Sequence, residues 1–356
     1  MMADKGALSA VEIPDVLSGE LVAHPSQRAV DNSQGVGTAL QALEAARAAL
    51  VYAAAAAEAA AFARAAHAPN TLRGYAADWR DWTAWAAANG VTALPARGAD
   101  VAAYVAYSAR TRAPSSLRRR LAALAAAHRA AGHDDVTKEP TVKAVLRGIA
   151  RTKRVAMRKK TPLVVQALRQ VLAECPDTPR GRRDRALLLI GWGAALRRSE
   201  LVALDFADVE ICDEGLAVRV RRSKVDQLGW GTRVGIPHHD DYRYDAVRAL
   251  LAWQTYTGMD RGAIFRPVLR SGWVLERRLQ PREVARVVKR VAGLAGLQGD
   301  YSGHSLRAGF ATSAAAAGAS ERSIMNQTRH QSVTVMRGYI RPASIWLDNA
   351  AAIAAL

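Results

Sequence analysis

The chain of 356 residues contains little cysteine. Only two cysteines occur, Cys175 and Cys212. They form no CxxC pair, and no histidine–cysteine cluster has the spacing of zinc ligands. A disulfide scaffold and a structural zinc site are therefore both disfavoured. We expect an intracellular protein in a reducing compartment.

Long apolar segments are scarce as well. The longest run near the N-terminus, residues 48–63, is mostly alanine and includes Glu58, which makes it too polar for a membrane span. Residues 1–20 carry acidic side chains and Pro14 where a secretory signal would place its apolar core. We expect neither a membrane anchor nor a secretory signal.

Acidic residues are few relative to basic ones. The chain has 32 aspartates and glutamates against 50 lysines and arginines, which gives a net charge of +18 and a pI near 10.6. Such a surplus predicts a polyanionic partner, with DNA or RNA ahead of an anionic membrane. GC-rich genomes also encode many arginines and alanines, so the placement of the basic residues is more informative than their number.

The length suits two domains of ordinary size. Residues 1–37 lack a sustained apolar period and predict a flexible tail. Residues 38–150 predict a small helical domain. Its first helix is rich in alanine, its second is capped by Asn70 or Thr71, and its third is capped by Asp100.

Basic residues concentrate at two places around this domain. One is the start of the next predicted helix, which begins near Pro114, and the other is a stretch, 147–160, that contains seven basic residues and no acid. A charge run of this kind is usually a solvated linker, but between two domains it can also neutralise DNA phosphates. The candidate DNA-binding residues are Arg118, Arg119, Arg120, Arg151, Lys153, Arg154, Lys159 and Lys160.

Residues 161–356 predict a second domain that is mainly helical with a small antiparallel sheet. We expect a helix that starts with Thr161 as cap and Pro162 at its first position. Apolar residues alternate along 216–220, which predicts a strand, and 231–237 predicts its partner. Helices resume at Asp245, and the helix around 281–289 is a further candidate for reading DNA bases.

The stretch 302–312 carries His304 and Arg307, which share one face if it is helical. An arginine offers a planar fork of donors to a phosphate, and a neighbouring histidine can donate a hydrogen bond or move a proton. The alternative is an ordinary surface pair on an alanine-rich helix. The remaining motifs decide in favour of the phosphate site.

Five motifs in chain order resemble the tyrosine recombinase (phage integrase) family. The resemblance covers residues 161–356, and the preceding helical domain and basic linker resemble that family's core-binding, SAM-like domain. The stretches 302–305 and 338–341 particularly resemble the Cre-like recombinases. The motifs are Leu196-Arg197-x-x-Glu200-Leu201, Arg222-Ser223-Lys224, His304-x-x-Arg307, His330 and Tyr339.

The resemblance implies a role for each motif residue. Tyr339 is the nucleophile that attacks a DNA phosphate and leaves a 3′-phosphotyrosyl link. Arg197 and Arg307 bind the two non-bridging oxygens of that phosphate. The resemblance further implies that His304 accepts the proton of the tyrosine and that His330 donates a hydrogen bond to the phosphate. It implies that Lys224 protonates the leaving 5′-oxygen and that Glu200 orients a neighbouring side chain.

The resemblance also implies an architecture and partners. It implies a two-domain, C-shaped DNA clamp with the DNA breaking-rejoining catalytic fold. Residues 1–37 would form the tail, 38–150 the core-binding domain, 151–160 the linker and 161–356 the catalytic domain. The DNA partner would be a duplex with paired inverted-repeat half-sites. On this DNA the protein would form a homotetramer, and free in solution it would be a monomer or weak dimer. A C-terminal helix over 343–356 would dock on a neighbouring subunit. Neither a metal ion nor ATP is expected, because the cationic side chains supply the charge.

Several alternatives stay open from the sequence alone. Arg198 competes with Arg197, and the alternative for Lys224 is an ordinary basic turn between strands. Tyr301, Tyr242 and Tyr244 compete with Tyr339. Two departures from the family pattern are an alanine, Ala195, where a glycine often stands, and Thr328-Arg329 where Leu-Gly often precedes the histidine. Rival functions are a type IB topoisomerase and an inactive DNA-binding regulator.

Overall fold

The computed structural model describes residues 37–65, 68–153, 160–221 and 231–340. The chain divides into two compact units with a boundary between residues 158 and 159, inside the basic stretch that the sequence predicts as a linker. Within the described ranges, every helix is too short or too polar to span a bilayer. The predicted tail, apart from residue 37, and the predicted C-terminal helix lie outside the described residues.

The first unit is helical, as predicted. Trp82, Tyr104 and Leu117 are almost completely buried at the centre of its core. Leu43 and Leu50 of the alanine-rich first helix are exposed, so this helix presents an apolar surface. The helices are α1 Gly37–Ala65, α2 Pro69–Ala88, α3 Gly98–Ser108, α4 Pro114–Ala130 and α5 Pro140–Lys153.

Two predicted helix caps are wrong. Ala68 caps α2, because Pro69 takes the first helical position, where its fixed φ suits the helix and its missing N–H costs nothing. Arg97 caps α3, and Asp100 lies in the first turn, where it accepts a hydrogen bond of 2.8 Å from the Arg97 side chain. A carboxylate in the first turn is favoured by the helix dipole without serving as the cap.

The second unit surrounds the buried helix α7 with further helices and a three-stranded antiparallel sheet of order β1-β2-β3. Its helices are α6 Val165–Ala173, α7 Pro179–Gly193, α8 Arg198–Ala203, α9 Ala246–Thr257, α10 Pro281–Leu294, α11 His304–Ala316, α12 Glu321–Thr328 and α13 Val333–Ile340. Its strands are β1 Val209–Cys212, β2 Gly215–Val220 and β3 Thr232–Pro237.

The predicted pair of strands corresponds to β2 and β3. The alternating residues Leu216, Val218 and Val220 are buried, and Leu216 and Val218 pair with Ile236 and Val234. The sequence did not predict β1, whose residues are exposed or only partly buried and therefore show no apolar alternation.

The predicted helix start at Thr161-Pro162 is also wrong, since α6 begins at Val165. The Thr161 amide donates to Asp300 O at 3.1 Å and the Leu163 amide donates to Ser305 O at 2.9 Å, so this segment is bonded to the start of α11. Gly309 permits the close approach, because a Cβ there would lie 1.9 Å from Leu163 O. These contacts fix the position of α11, which carries His304 and Arg307.

Candidate active site

Tyr339 on α13 lies against two histidines. Its hydroxyl is 2.7 Å from Nε2 of His304, the first residue of α11. Its ring stacks on His330, with centroids 5.4 Å apart and an interplanar angle of 27°. Thr312 of α11 donates to Tyr339 O at 3.1 Å, and Met336 is fully buried between the same helices. The packing of α13 on α11 therefore brings the phenol and both imidazoles together.

Arg307 is buried beside this group, with 1% of its surface exposed. Its Nη1 donates to Ala195 O at 2.9 Å, whereas its buried Nη2 has no hydrogen-bond partner among the described residues. Burial, with the charges of Arg197 and Arg329, lowers the pKa of Arg307 to about 9. A buried donor without a partner is costly, and an anion at this position would satisfy it.

Arg197 and Glu200 form a second pair. Glu200 is buried, and its carboxylate accepts from the Arg197 amide at 2.9 Å and from Arg197 Nη1 at 2.5 Å. Burial acts to raise the pKa of Glu200, but the Arg197 amide and the charge of Arg329 outweigh it and hold the pKa below its usual value. Glu200 is therefore ionised near neutral pH and orients Arg197 at the start of α8.

His304 is suited to accept the tyrosine proton. Desolvation, followed by the positive charges of Arg307 and Arg197, lowers the pKa of His304. The ring is then neutral near pH 7, so Nε2 can accept a hydrogen bond from the Tyr339 hydroxyl at 2.7 Å. A base within hydrogen-bond reach of its nucleophile satisfies the first geometric requirement of proton transfer.

His330 has a tautomer fixed by its neighbour. The Thr328 hydroxyl donates to Ile324 O at 2.6 Å, so its oxygen accepts from His330 Nδ1 at 2.7 Å. Nε2 of the neutral ring then carries no proton. Burial, followed by the charges of Arg307 and Arg197, lowers the pKa of His330 to about 4. The predicted donation to a phosphate thus requires the ring to gain a proton, which a nearby anion favours.

Replacing His330 by asparagine should flatten the dependence of stability on acid pH. Between an unfolded pKa of 6.5 and a folded pKa of about 4, only the unfolded chain binds this proton. The contribution to stability is therefore complete above pH 6.5 and is lost as pH falls towards 4. From pH 7 to 4 we expect the wild type to lose roughly 2 kcal/mol more than the variant, measured by denaturant unfolding. Parallel losses would contradict this account of the site's charge.

Sequence reasoning missed two residues of this site, Thr328 and Arg329. Thr328 is fully buried and sets the His330 tautomer, and the Arg329 side chain is buried against Glu200. The available signal was the departure of Thr328-Arg329 from the family's usual Leu-Gly pair. That departure marked an unusual backbone but did not reveal the contacts of the side chains.

The predicted site residues in the Lys224 turn and the basic linker are only partly described by the structure. Lys224, Arg154 and Lys159 lie outside the described residues, so their roles stay predictions. Arg151 and Lys153 belong to the last turn of α5 and not to a linker, because that helix continues to Lys153.

Arg120 is not a surface DNA-binding residue, which corrects the prediction. It is 4% exposed, and its Nη1 donates to Asp81 and, at 2.8 Å, to the Tyr104 hydroxyl. Asp78, also buried, lies 3.6 Å from the same nitrogen. Arg120 therefore neutralises two carboxylates between α2 and α4. Its neighbour Arg118 is exposed, and the half-exposed Arg119 pairs with Asp78 at 3.1 Å.

Replacing Arg120 by alanine should lower the free energy of unfolding of the first unit by about 2 kcal/mol, because Asp81 and Tyr104 lose a charged donor and the buried Asp78 is left paired with the half-exposed Arg119. The matched control is Arg118→Ala on the same helix, which removes an exposed arginine and should cost less than about 0.5 kcal/mol. Denaturant unfolding of both variants measures the difference. Equal stabilities would show that Arg120 has no such structural role.

Basic side chains also line an exposed face of α10. Arg282, Arg286 and Lys289 are exposed, and their spacing places them on one side of the helix, opposite the buried Val284 and Val288. Lys160 forms an exposed ion pair with Asp300. The helix predicted around 281–289 is thus present, with its cations turned towards solvent.

The site has the composition of a tyrosine recombinase, and comparison with known proteins shows that the chain belongs to the phage integrase family. Residues 163–344 match the Phage integrase family and residues 61–134 match the phage integrase N-terminal SAM-like domain. The protein is accordingly a site-specific recombinase of the tyrosine type, the class of enzyme that cuts and rejoins DNA.

Similar proteins include Xer recombinases. The chain is 38% identical over 266 residues to an integrase/recombinase xerD homolog of Selenomonas ruminantium, covering 73% of this chain and 78% of that protein. It is 29% identical over 187 residues to tyrosine recombinase XerD of Neisseria meningitidis serogroup B, covering 52% of this chain and 59% of that protein. The closer resemblance to Cre-like recombinases stays a prediction.

Solved structures share the fold. A XerH recombinase bound to a palindromic difH substrate matches with a TM-score of 0.61 and 16% identity over 84% of both chains. A lambda integrase dimer bound to a COC′ core site matches with a TM-score of 0.52 and 17% identity, covering 77% of this chain and 72% of that one. The mainly helical architecture with a small antiparallel sheet, predicted from the sequence, is confirmed.

Proposed function

We propose that the protein recombines specific DNA sites through a covalent link between Tyr339 and a 3′-phosphate, in a synaptic tetramer. The observation that carries this proposal is the 2.7 Å contact between the Tyr339 hydroxyl and His304, beside the buried Arg307 Nη2 that has no partner among the described residues. A nucleophile and its base thus adjoin a donor that suits an anion.

In the cleavage step, His304 takes the proton of Tyr339 and the phenolate oxygen attacks the phosphorus. The bond from phosphorus to the 5′-oxygen breaks, and its electron pair stays on that oxygen, which Lys224 protonates. Arg307 and Arg197 hold the two non-bridging oxygens, whose negative charge grows in the transition state. The products are a 3′-phosphotyrosine and a free 5′-hydroxyl.

Rejoining reverses these steps with a different strand. A 5′-hydroxyl from the partner duplex attacks the phosphotyrosine and gives its proton to Lys224, and Tyr339 leaves and recovers a proton from His304. The covalent intermediate conserves the phosphodiester bond energy, so no nucleotide is hydrolysed. His330, once protonated, donates to a phosphate oxygen through Nε2.

Duplex DNA with inverted half-sites is the proposed substrate. The net charge of +18, the exposed Arg118 and the exposed cations of α10 supply phosphate contacts. Residues 38–153, which include the last turn of α5, would serve as the core-binding domain, 154–160 as the basic connection and 161–356 as the catalytic domain. Four copies would assemble on paired sites, with residues 343–356 exchanged between subunits, and the free protein would be a monomer or weak dimer. The site of action would be the cytoplasmic nucleoid.

Plasmid recombination tests this proposal. The DNA that becomes covalently attached to the protein is sequenced to identify the target site. Two copies of that site are then placed on one supercoiled plasmid. We expect recombinant circles in EDTA without ATP. Relaxation without recombinants would favour a type IB topoisomerase, and binding without cleavage would favour an inactive regulator.

A further inference from the structure

Arg329, the residue before His330, has an unusual backbone and an unusual side chain. Its φ is 55°, in the left-handed region, where a residue with a Cβ is strained. Its side chain is only 7% exposed. A buried guanidinium in a strained position requires compensating contacts.

Both terminal nitrogens of Arg329 are fully engaged with protein oxygens. Nη1 donates to Ala194 O at 3.0 Å and to Gln327 O at 2.9 Å. Nη2 donates to Ala195 O at 3.1 Å and to Glu200 Oε2 at 3.1 Å. Arg329 therefore has no terminal donor left for a phosphate, although its buried Nε has no hydrogen-bond partner among the described residues.

Two of these four bonds go to a second strained turn, at Ala194 and Ala195. Ala195 has a φ of 48°, and within the described ranges it and Arg329 are the two non-glycine residues with positive φ. Ala195 O also accepts from Arg307 Nη1 at 2.9 Å. The Arg329 side chain thus bonds the turn that holds Arg307 and that leads, two residues later, into Arg197.

We infer that Arg329 is a positioning residue, which clamps the left-handed turn at Ala195 and so holds Arg307 and Arg197 in register for a phosphate. The inference rests on the proposed function of these two arginines. Without the clamp, Ala195 relaxes from its strained φ and its carbonyl moves, carrying Arg307 with it. A displacement of about 1 Å at such a site can cost about a hundredfold in rate.

The test compares Arg329→Gly, the double variant Arg329→Gly/Ala195→Gly and the control Arg322→Ala. Glycine at 329 keeps the left-handed backbone without strain and removes only the side chain. Glycine at 195 adopts the turn without a clamp. Arg322→Ala removes an exposed arginine from α12, the helix that ends just before Arg329. Two quantities are measured: single-turnover cleavage of a nicked duplex built from captured DNA, and amide hydrogen exchange of residues 191–201 without DNA.

We expect Arg329→Gly to cleave about 10- to 100-fold more slowly than wild type, with DNA affinity within about threefold and faster exchange over 191–201. The double variant should cleave at least about fivefold faster than Arg329→Gly, because the turn no longer needs the clamp. The Arg322→Ala control should match wild type in both measurements.

Three results would overturn the inference. They are wild-type cleavage by Arg329→Gly, slow cleavage with unchanged exchange over 191–201, and a double variant no faster than Arg329→Gly. A wild-type protein that forms no covalent adduct would instead refute the proposed function. In that case the exchange measurement still decides whether Arg329 holds the turn.

Discussion

Replacing Tyr339 by phenylalanine should abolish covalent capture of DNA. The substrate is a nicked duplex that loses its 5′-fragment after cleavage, so that wild-type protein accumulates as a protein–DNA adduct. The rate of adduct formation by the variant should be at least about 10⁴-fold lower. Phenylalanine keeps the ring that stacks on His330 and removes only the hydroxyl that contacts His304. DNA affinity should therefore stay within about threefold of wild type.

The matched control is Tyr242→Phe, which removes the hydroxyl of an exposed tyrosine in the same unit. This control should form the adduct at the wild-type rate, because Tyr242 lies outside the group formed by His304, His330 and Tyr339. Adduct formation by Tyr339→Phe, visible as a slower band under denaturing electrophoresis, would show that another residue is the nucleophile.

Replacing Arg307 should block cleavage while the protein still folds. Arg307→Ala removes the buried Nη2 donor that has no partner among the described residues, and we expect cleavage to fall about 10²- to 10³-fold. Arg307→Lys keeps a positive charge but loses the planar fork, so it should recover only part of this loss. The measurement is single-turnover cleavage, with a thermal unfolding curve to confirm the fold.

Arg198→Ala is the matched control for the charge. Arg198 is exposed and adjoins Arg197 in the sequence, so its loss removes a cation near the site without disturbing the buried Arg307. We expect it to reduce cleavage less than tenfold. Full cleavage by Arg307→Ala, or equal losses in the two variants, would remove Arg307 from the proposed chemistry.

Local patterns predicted most of the fold. The helical spacing around Trp82, the alternation of Leu216, Val218 and Val220, and the helix that carries His304 and Arg307 are all present. These features depend on neighbouring residues, so they can be recognised without tertiary contacts. The start of α6 could not be predicted in this way, because the backbone of Thr161 and Leu163 bonds to residues more than 130 positions away.

The candidate site could be predicted from the sequence only in part. The order of the motifs identified Arg197, His304, Arg307, His330 and Tyr339 as residues to examine, and the structure brings their side chains into one group of contacts and charges. The sequence did not distinguish exposed from buried arginines. Nothing in the local sequence marks Arg120 or Arg329 as buried, yet each is buried against a carboxylate from a distant element.

Identification of the DNA-linked amino acid tests the central claim most directly. Trypsin should release Tyr339 in a peptide that begins at Gly338 and continues past Arg341, because cleavage follows Arg337 and is blocked at Arg341 by the proline after it. After nuclease treatment of the trapped adduct, we predict a nucleotide 3′-phosphate on this peptide, at its single tyrosine. A nucleotide attached to any other residue, or a wild-type protein that forms no covalent bond to DNA, would contradict the account.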